Sequence, residues 1–107
     1  MFKISFYVPK KNLESVKNAM FEAGAGVYEG YSRCCWQTQG EGQFLPEVGS
    51  NPFFGKCGVV ERVDEYKVEM ICHDSRVKKV LKALFTAHPY EVVAYDVVEF
   101  LKLEDFK

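Results

Sequence analysis

The chain has 107 residues, the length of one domain, and 48% of them are hydrophobic and 15% aromatic, as in a globular protein. Its 14 basic and 15 acidic residues give a formal net charge of −1, which leaves no basic excess to bind a nucleic acid. No apolar run approaches the roughly 20 residues that span a membrane, and the first segment is charged rather than leader-like. The four cysteines form no C-x-x-C pair. We therefore expect one cytoplasmic domain, residues 1–107, with reduced thiols.

The first half of the chain predicts a strand, a helix and a second strand. Residues 2–8 alternate apolar and polar side chains, which is typical of a strand with one buried face. Asn12 is the expected cap of the helix, and Gly24 is expected to end it in a left-handed conformation. Residues 27–38 are aromatic and polar by turns and predict the second strand. The apolar stripe of the helix consists of Leu13, Val16, Ala19, Met20 and Ala23.

Residues 39–58 predict a long ordered loop. They hold five of the eight glycines and two of the four prolines, a composition that does not suit a helix or a long central strand. They also hold Phe44, Phe53 and Phe54, and disordered segments contain few aromatic residues. Loops of this length inside a domain are uncommon and often functional.

The second half repeats the order of the first. Residues 59–72 predict a strand whose apolar face consists of Tyr66, Val68, Met70 and Cys72. Asp74 or Ser75 is the expected cap of a second helix, and Pro89 is expected to end it. Residues 92–101 predict the last strand, and residues 104–107 a short polar tail. The apolar stripe of the second helix consists of Val77, Val80, Leu81, Leu84 and Phe85.

The order β-α-β, loop, β-α-β is typical of a ferredoxin-like α+β sandwich. Two helices would cover one face of its sheet and leave the other face open. An open face with apolar residues needs a partner, so we expect a homo-oligomer. The exposed cationic cluster of Arg76, Lys78 and Lys79 with Lys82 is interpreted as the solvated face of the second helix.

The cysteines and histidines do not predict a metal site. Neighbouring residues of a strand point to opposite faces, so Cys34 and Cys35 are not expected to chelate one ion, and the same holds for Cys72 and His73. The spacing matches no zinc pattern. No metal and no cofactor is expected within one chain, although a site assembled across subunits stays open.

The segment 88–91 is the best candidate for a binding site. Pro89 fixes its own backbone and forces the preceding residue out of the helix, which makes a rigid corner with three polar side chains. Two hypotheses remain open: the corner only seals the helix end, or it forms a ligand cleft with the glycine-rich loop. The candidate ligand-binding residues are His88, Tyr90, Glu91, Gln43 and Phe44. No nucleophile-and-base pattern predicts a catalytic residue.

Several short motifs in a fixed order resemble the YqfO family, the small relatives of an inserted domain in Nif-three-like dinuclear-metal proteins. The resemblance covers nearly the whole chain and rests on the ordered combination rather than on any single motif. The motifs are Gly24-Ala25-Gly26, Tyr31, Cys34, Gln37-Thr38, Gly40-x-Gly42-x-Phe44-x-Pro46, Gly49-x-Asn51-Pro52-x-x-Gly55, Glu61-x-Val63-x-Glu65, Val68-Glu69, His88-Pro89-Tyr90-Glu91 and Ala94-Tyr95-Asp96.

The resemblance implies a PII-like or CutA-like fold that assembles as a trimer, with ligands in clefts between subunits near a long loop. The two-metal centre of the larger proteins lies in flanking domains, so it is not expected in these 107 residues. Three departures from the family pattern occur, and the first is Tyr28-Glu29-Gly30, which stands where Ile-Gly is common before an Asn/Asp-Tyr pair. Val92-Val93 follow Glu91 where a further acidic or polar residue is usual, and Arg33 stands where histidine is common.

The sequence therefore predicts a non-enzymatic, cytoplasmic, oligomeric binding or regulatory module with an unidentified small ligand. Neither a nucleic acid nor a membrane is an expected partner. Two alternatives remain: a divalent-metal-binding protein of CutA character, and a small enzyme with a site between subunits around His88.

Overall fold

A computed structural model describes all residues 1–107. Four strands and two helices follow in the order β1 (Phe2–Pro9), α1 (Leu13–Glu22), β2 (Trp36–Phe44), β3 (Glu61–Cys72), α2 (Val77–Ala87) and β4 (Tyr95–Glu99). Short 3-10 turns precede both helices, at Lys10–Asn12 and Asp74–Arg76, and a third lies at Leu103–Asp105.

The strands form one antiparallel sheet in the order β2-β3-β1-β4. Ile4 of β1 pairs with Met70 of β3 on one side and with Val97 of β4 on the other. Both helices lie on one face of the sheet, and their apolar side chains pack against those of β1 and β3. The predicted ferredoxin-like α+β sandwich is confirmed.

The core consists of side chains from the predicted apolar faces of β1 and β3 and from the predicted apolar stripes of the two helices. The fully buried side chains include Phe6 of β1, Met20 of α1, Val68 of β3 and Leu84 of α2. One member of the predicted stripes is wrong: Phe85 is 45% exposed and packs edge-on against Tyr95, with 5.0 Å between ring centroids. It lies at the margin of the helix face, next to the outer strand β4.

The end of α1 and the position of its cap are as predicted, and the start of α2 is not. Gly24 has φ +116°, and the amide of Ala25 donates to the Met20 carbonyl at 3.1 Å, which is a Schellman ending. Asn12 occupies the cap position but makes no capping bond, and its buried Oδ1 has no partner. Helix α2 starts only at Val77, because the 3-10 turn Asp74–Arg76 comes first.

Asp74 binds the N-terminal ammonium group at 2.7 Å instead of capping α2. The ammonium is brought there by β1, whose first residues pair with the end of β3. The local sequence around Asp74 does not predict this contact, because its partner lies 73 positions away in the chain.

The second strand lies further along the chain than predicted. Residues 27–35 are irregular and contain a tight turn between Tyr28 and Tyr31, with positive φ at Glu29 and Gly30. The strand starts at Trp36 and continues through residues 39–44, which the sequence assigned to the loop. Glycine is tolerated there because β2 is the outermost strand and pairs only with β3.

The last strand is shorter than the predicted residues 92–101. It pairs with β1 from Glu99 opposite Phe2 to Tyr95 opposite Phe6. One further bond joins the Tyr7 amide to the Ala94 carbonyl at 3.3 Å, and the Tyr7 carbonyl is bonded to the His88 ring at 2.7 Å instead of to the β4 segment. The polar tail contains the 3-10 turn Leu103–Asp105.

The open face of the sheet is less apolar than expected. Lys3 and Lys67 lie on it and form ion pairs with Glu69 at 3.9 and 3.3 Å, while Tyr7 and Trp36 expose 37% and 68% of their surface. The molecule is elongated, 52 × 28 × 24 Å, with a radius of gyration of 15.3 Å, against about 13 Å for a compact chain of this length. No helix is long and apolar enough to cross a bilayer.

Candidate functional site

A cleft of about 750 Å³ lies at the far end of the β2–β3 ladder. The end of β2, the loop 45–54 and the connection from α2 to β4 surround it, and Tyr7 of β1 and Glu65 and Lys67 of β3 also line it. Gln43, Phe44, Tyr90 and Glu91 are among its lining residues. Its volume lies within the range of small-molecule sites, roughly 300–1,000 Å³.

Tyr90 is the centre of an aromatic cluster in this cleft. Its ring centroid lies 6.3 Å from those of Phe44 and Phe53 and 6.2 Å from that of Phe54. Phe53 and Phe54 also pack edge-on against each other at 4.6 Å. Tilted and edge-on pairs of this kind contribute about 0.5–1.5 kcal/mol each beyond burial, so the cluster holds the loop on the body of the domain.

The Tyr90 hydroxyl donates to Oε2 of Glu65, on β3, at 2.8 Å. Burial, together with this bond to a carboxylate, raises the pKa of Tyr90 well above its ordinary value of 10.0. The phenol is therefore neutral at physiological pH and acts as a fixed donor. Gly42, across the hairpin, leaves room for this carboxylate, because a Cβ at position 42 would overlap Glu65.

Glu91 fastens the loop to the rest of the domain. Its Oε2 accepts the backbone amide of Asn51 at 2.7 Å, a bond between residues 40 positions apart. Within the loop, the amide of Gly58 donates to the carbonyl of the buried Pro46 at 2.6 Å. These bonds close the ends of the loop and fix its middle beside the α2–β4 connection.

His88 lies behind the cleft and is only 5% exposed. Nδ1 accepts the amide of Tyr90 at 3.1 Å, so the proton is on Nε2, which donates to the Tyr7 carbonyl at 2.7 Å. Burial lowers the pKa of His88 below 6.5, and the bond to Tyr7 opposes that shift only partly. The ring also packs edge-on against Tyr90 at 4.7 Å.

The structure thus brings four of the five candidate residues together in one cavity: Gln43, Phe44, Tyr90 and Glu91. His88 does not line the cavity, and both of its ring nitrogens are bonded to backbone. These bonds join the ring to β1 and to the turn that follows α2.

Sequence reasoning missed Glu65 and Gly42. Neither residue is among the candidate site residues that the sequence predicts. A signal is present in two motifs whose named residues recur at every second position, one containing Gly42 and the other ending in Glu65. In a hairpin such motifs face each other, but the glycines of residues 39–44 favour a loop, and a loop predicts no such pairing.

The cysteine argument also needs a correction. Cys34 and Cys35 precede β2, so strand alternation does not apply to them, and both line a smaller cavity of about 290 Å³ beside Trp36. Nowhere in the chain do three or more His, Cys, Asp or Glu side chains form a group that could hold a metal ion.

Curated relatives match most of this chain. A "GTP cyclohydrolase 1 type 2 homolog" of Mycobacterium tuberculosis is 47% identical over 91 residues, which are 85% of this chain and 24% of that protein. The protein of the same name from Halalkalibacterium halodurans is 41% identical over 97 residues, 91% of this chain and 26% of that protein. No protein-family model matches the chain.

Solved structures give the same result. A Bacillus cereus protein related to NIF3 has a TM-score of 0.78 and 43% identity, covering 90% of this chain and 24% of that one. The periplasmic divalent cation tolerance protein CutA from Archaeoglobus fulgidus has a TM-score of 0.69 over 95% of this chain and 86% of that one. At 14% identity, the CutA likeness shows the fold alone.

The chain spans about a quarter of the length of the curated relatives that it matches, 24% and 26% in the two cases above. The resemblance found in the sequence motifs is confirmed by these relatives, and the CutA-like fold by the solved structures. The chain is therefore similar to one segment of the longer Nif-three-like proteins, as its resemblance to the YqfO family implies.

Proposed function

We propose that this chain is a small-molecule-binding module without catalytic residues of its own, and that it acts as a homotrimer in the cytoplasm. The observation that carries the proposal is the cleft of about 750 Å³, in which an aromatic cluster and fixed polar groups converge. Clefts of this size and character are the usual form of ligand sites. The names of the longer relatives describe those proteins and assign no reaction to this segment.

Each candidate residue has a distinct part in the proposed site. Phe44 and Tyr90 supply apolar ring surface, and Gln43 supplies an amide that both donates and accepts. Glu91 holds the loop beside the α2–β4 connection by accepting the backbone amide of Asn51. His88 is a positioning residue that fixes the Tyr90 backbone and ring from behind.

The free edge of β2 supports assembly. This strand pairs with β3 on one side only, and most of its nine residues are exposed. An unpaired edge is a template for pairing with another chain. Trp36, at the start of this edge, is 68% exposed, and exposed tryptophan is typical of interfaces.

A thermal-shift screen against a broad metabolite collection tests the binding proposal. A ligand at 100 times its dissociation constant adds about 2.7 kcal/mol of stability. We expect at least one compound to stabilise the wild type and not the Phe44→Ala variant. Phe85→Ala is the matched control, because it removes a partly exposed ring outside the cleft. Equal stabilisation of both variants, or no active compound, would contradict the proposal.

Sedimentation equilibrium tests the assembly. We expect three times the subunit mass of 12.3 kDa, and a lower mass for Trp36→Lys. Tyr31→Lys is the control, since Tyr31 is 74% exposed and lies outside the β2 edge. A monomer at micromolar concentration would show that the trimer proposal is wrong.

A further inference from the structure

The charged residues of the cleft are strongly unbalanced. Four glutamates line it, Glu41, Glu47, Glu65 and Glu91, against the single cation Lys67, a net charge of −3 in a chain whose total is −1. Lys67 is already paired with Glu69, outside the cleft, at 3.3 Å. The cleft is therefore more negatively charged than the chain as a whole.

Three of these carboxylates have no cationic partner. Glu65 accepts a hydroxyl and Glu91 accepts a backbone amide, and neither bond neutralises the charge. Glu47 forms no ion pair. Glu41 differs, because it lies 3.7 Å from Nε of Arg62, but both side chains are 61% exposed and the pair is weak.

The aromatic rings favour the same sign of ligand. The face of an aromatic ring carries negative charge density and attracts cations, including substituted ammonium groups. Four such rings meet here, Phe44, Phe53, Phe54 and Tyr90. Within the chain, the Lys11 ammonium lies 6.0 Å from the Phe53 centroid, at the outer limit of such a contact.

We infer that the ligand of this cleft is a small organic cation, an ammonium group that bears alkyl or aryl substituents. The inference rests on the proposed function, because it names the ligand class of the same cleft. The rings would contact the substituents, and the unpaired carboxylates would balance the charge. Anionic ligands, including phosphate esters, would be repelled by the same carboxylates.

Two matched probe pairs separate charge from shape. Benzyltrimethylammonium is compared with the anion benzenesulfonate, and choline with its uncharged carbon isostere dimethylbutanol. Binding is followed by the backbone amide shifts of the isotope-labelled protein. We expect both cations to shift the Phe44 and Tyr90 amides saturably, the isostere to bind at least about tenfold more weakly, and the anion not to bind.

Two variants with one control locate the charge and ring contributions. Glu47→Gln should weaken cation binding about threefold, in the range expected for a partly exposed charge, and Phe53→Leu by a similar or larger factor. Glu22→Gln makes the same charge change at an exposed site of α1 outside the cleft, and should have no effect.

The outcomes distinguish the two proposals. If dimethylbutanol or benzenesulfonate binds as tightly as its partner, or if neither cation shifts the cleft amides, the cation inference is wrong. The broader binding proposal would survive that result if another compound from the metabolite screen stabilised the wild type and not Phe44→Ala. It fails only if no compound binds in the cleft.

Discussion

Replacing His88 with alanine tests how the corner behind the cleft is held. The ring is 5% exposed and bonded through both nitrogens, to the Tyr7 carbonyl and the Tyr90 amide. Its removal leaves two part-buried backbone groups without their partners, at up to about 1–3 kcal/mol each, and water that reaches them reduces this cost. It also removes the edge-on packing on Tyr90. We expect a loss of about 2–4 kcal/mol, or roughly 10–20 °C in Tm for a domain near this size.

Urea unfolding at fixed protein concentration measures this loss. His88→Gln should recover part of it, because the amide can still donate to Tyr7. His73→Ala is the matched control: His73 is exposed and its side chain makes no hydrogen bond. A change below about 0.5 kcal/mol for His88→Ala, the range of ordinary surface substitutions, would refute the structural role given to this ring.

His88 should also make the stability of the fold depend on pH. The pKa of His88 is lowered in the folded state, so the unfolded chain binds a proton at pH values where the folded chain does not. Its contribution to stability is therefore complete above the ordinary histidine pKa of 6.5 and is lost as the pH falls below 6.5 toward the folded pKa. The wild type should lose stability in this range faster than His88→Ala. Parallel pH profiles for the two proteins would contradict the assignment.

Three further predictions concern other parts of the fold. Gly42→Ala should displace the Glu65 carboxylate and bring the pKa of Tyr90 down toward 10.0, measured by ultraviolet titration against Tyr90→Phe; an unchanged titration would be inconsistent with the contact. Gly24→Ala should cost about 1–2 kcal/mol in urea unfolding, because alanine is strained at φ +116°, and a neutral effect would argue against the Schellman ending. Val68→Asp should abolish the folded circular dichroism spectrum, since an unpaired charge would replace a fully buried side chain; a folded variant would place Val68 outside the core.

The parts of the fold that depend on local periodicity could be predicted from the sequence. The buried faces of β1 and β3 follow from alternation, and the end of α1 follows from Gly24, because a left-handed residue is needed there. The start of α2 could not be predicted as well. Asp74 is used by the chain terminus instead of α2, and that contact joins residues 73 positions apart.

The position of β2, which starts and ends later in the chain than predicted, also depends on a contact with a distant residue. Gly40 and Gly42 look like loop residues when read alone, yet both lie in a regular ladder with β3. Glycine at position 42 is explained only by the carboxylate of Glu65, which lies on the opposite strand. The composition of a strand can therefore be set by its partner rather than by its own propensity.

The candidate site could be predicted in its location but not in its bonding. The rigid corner at Pro89 follows from the backbone limits of proline, and the backbone of His88 is extended as expected, with φ −75° and ψ 138°. The role of the His88 ring depends on Tyr7, 81 residues away, and that of the Tyr90 hydroxyl on Glu65, 25 residues away. Neither partner carries a local signal.

Fluorine NMR of the protein labelled with fluorotyrosine tests the central claim, that the Tyr90 cleft binds a small molecule, most directly. Tyr90→Phe identifies the Tyr90 resonance, and that of Tyr31, which is 74% exposed and does not line the cleft, is the internal control. The account predicts that at least one compound of a broad metabolite collection shifts the Tyr90 resonance saturably and leaves the Tyr31 resonance unchanged. A Tyr90 resonance that no compound moves would contradict the account.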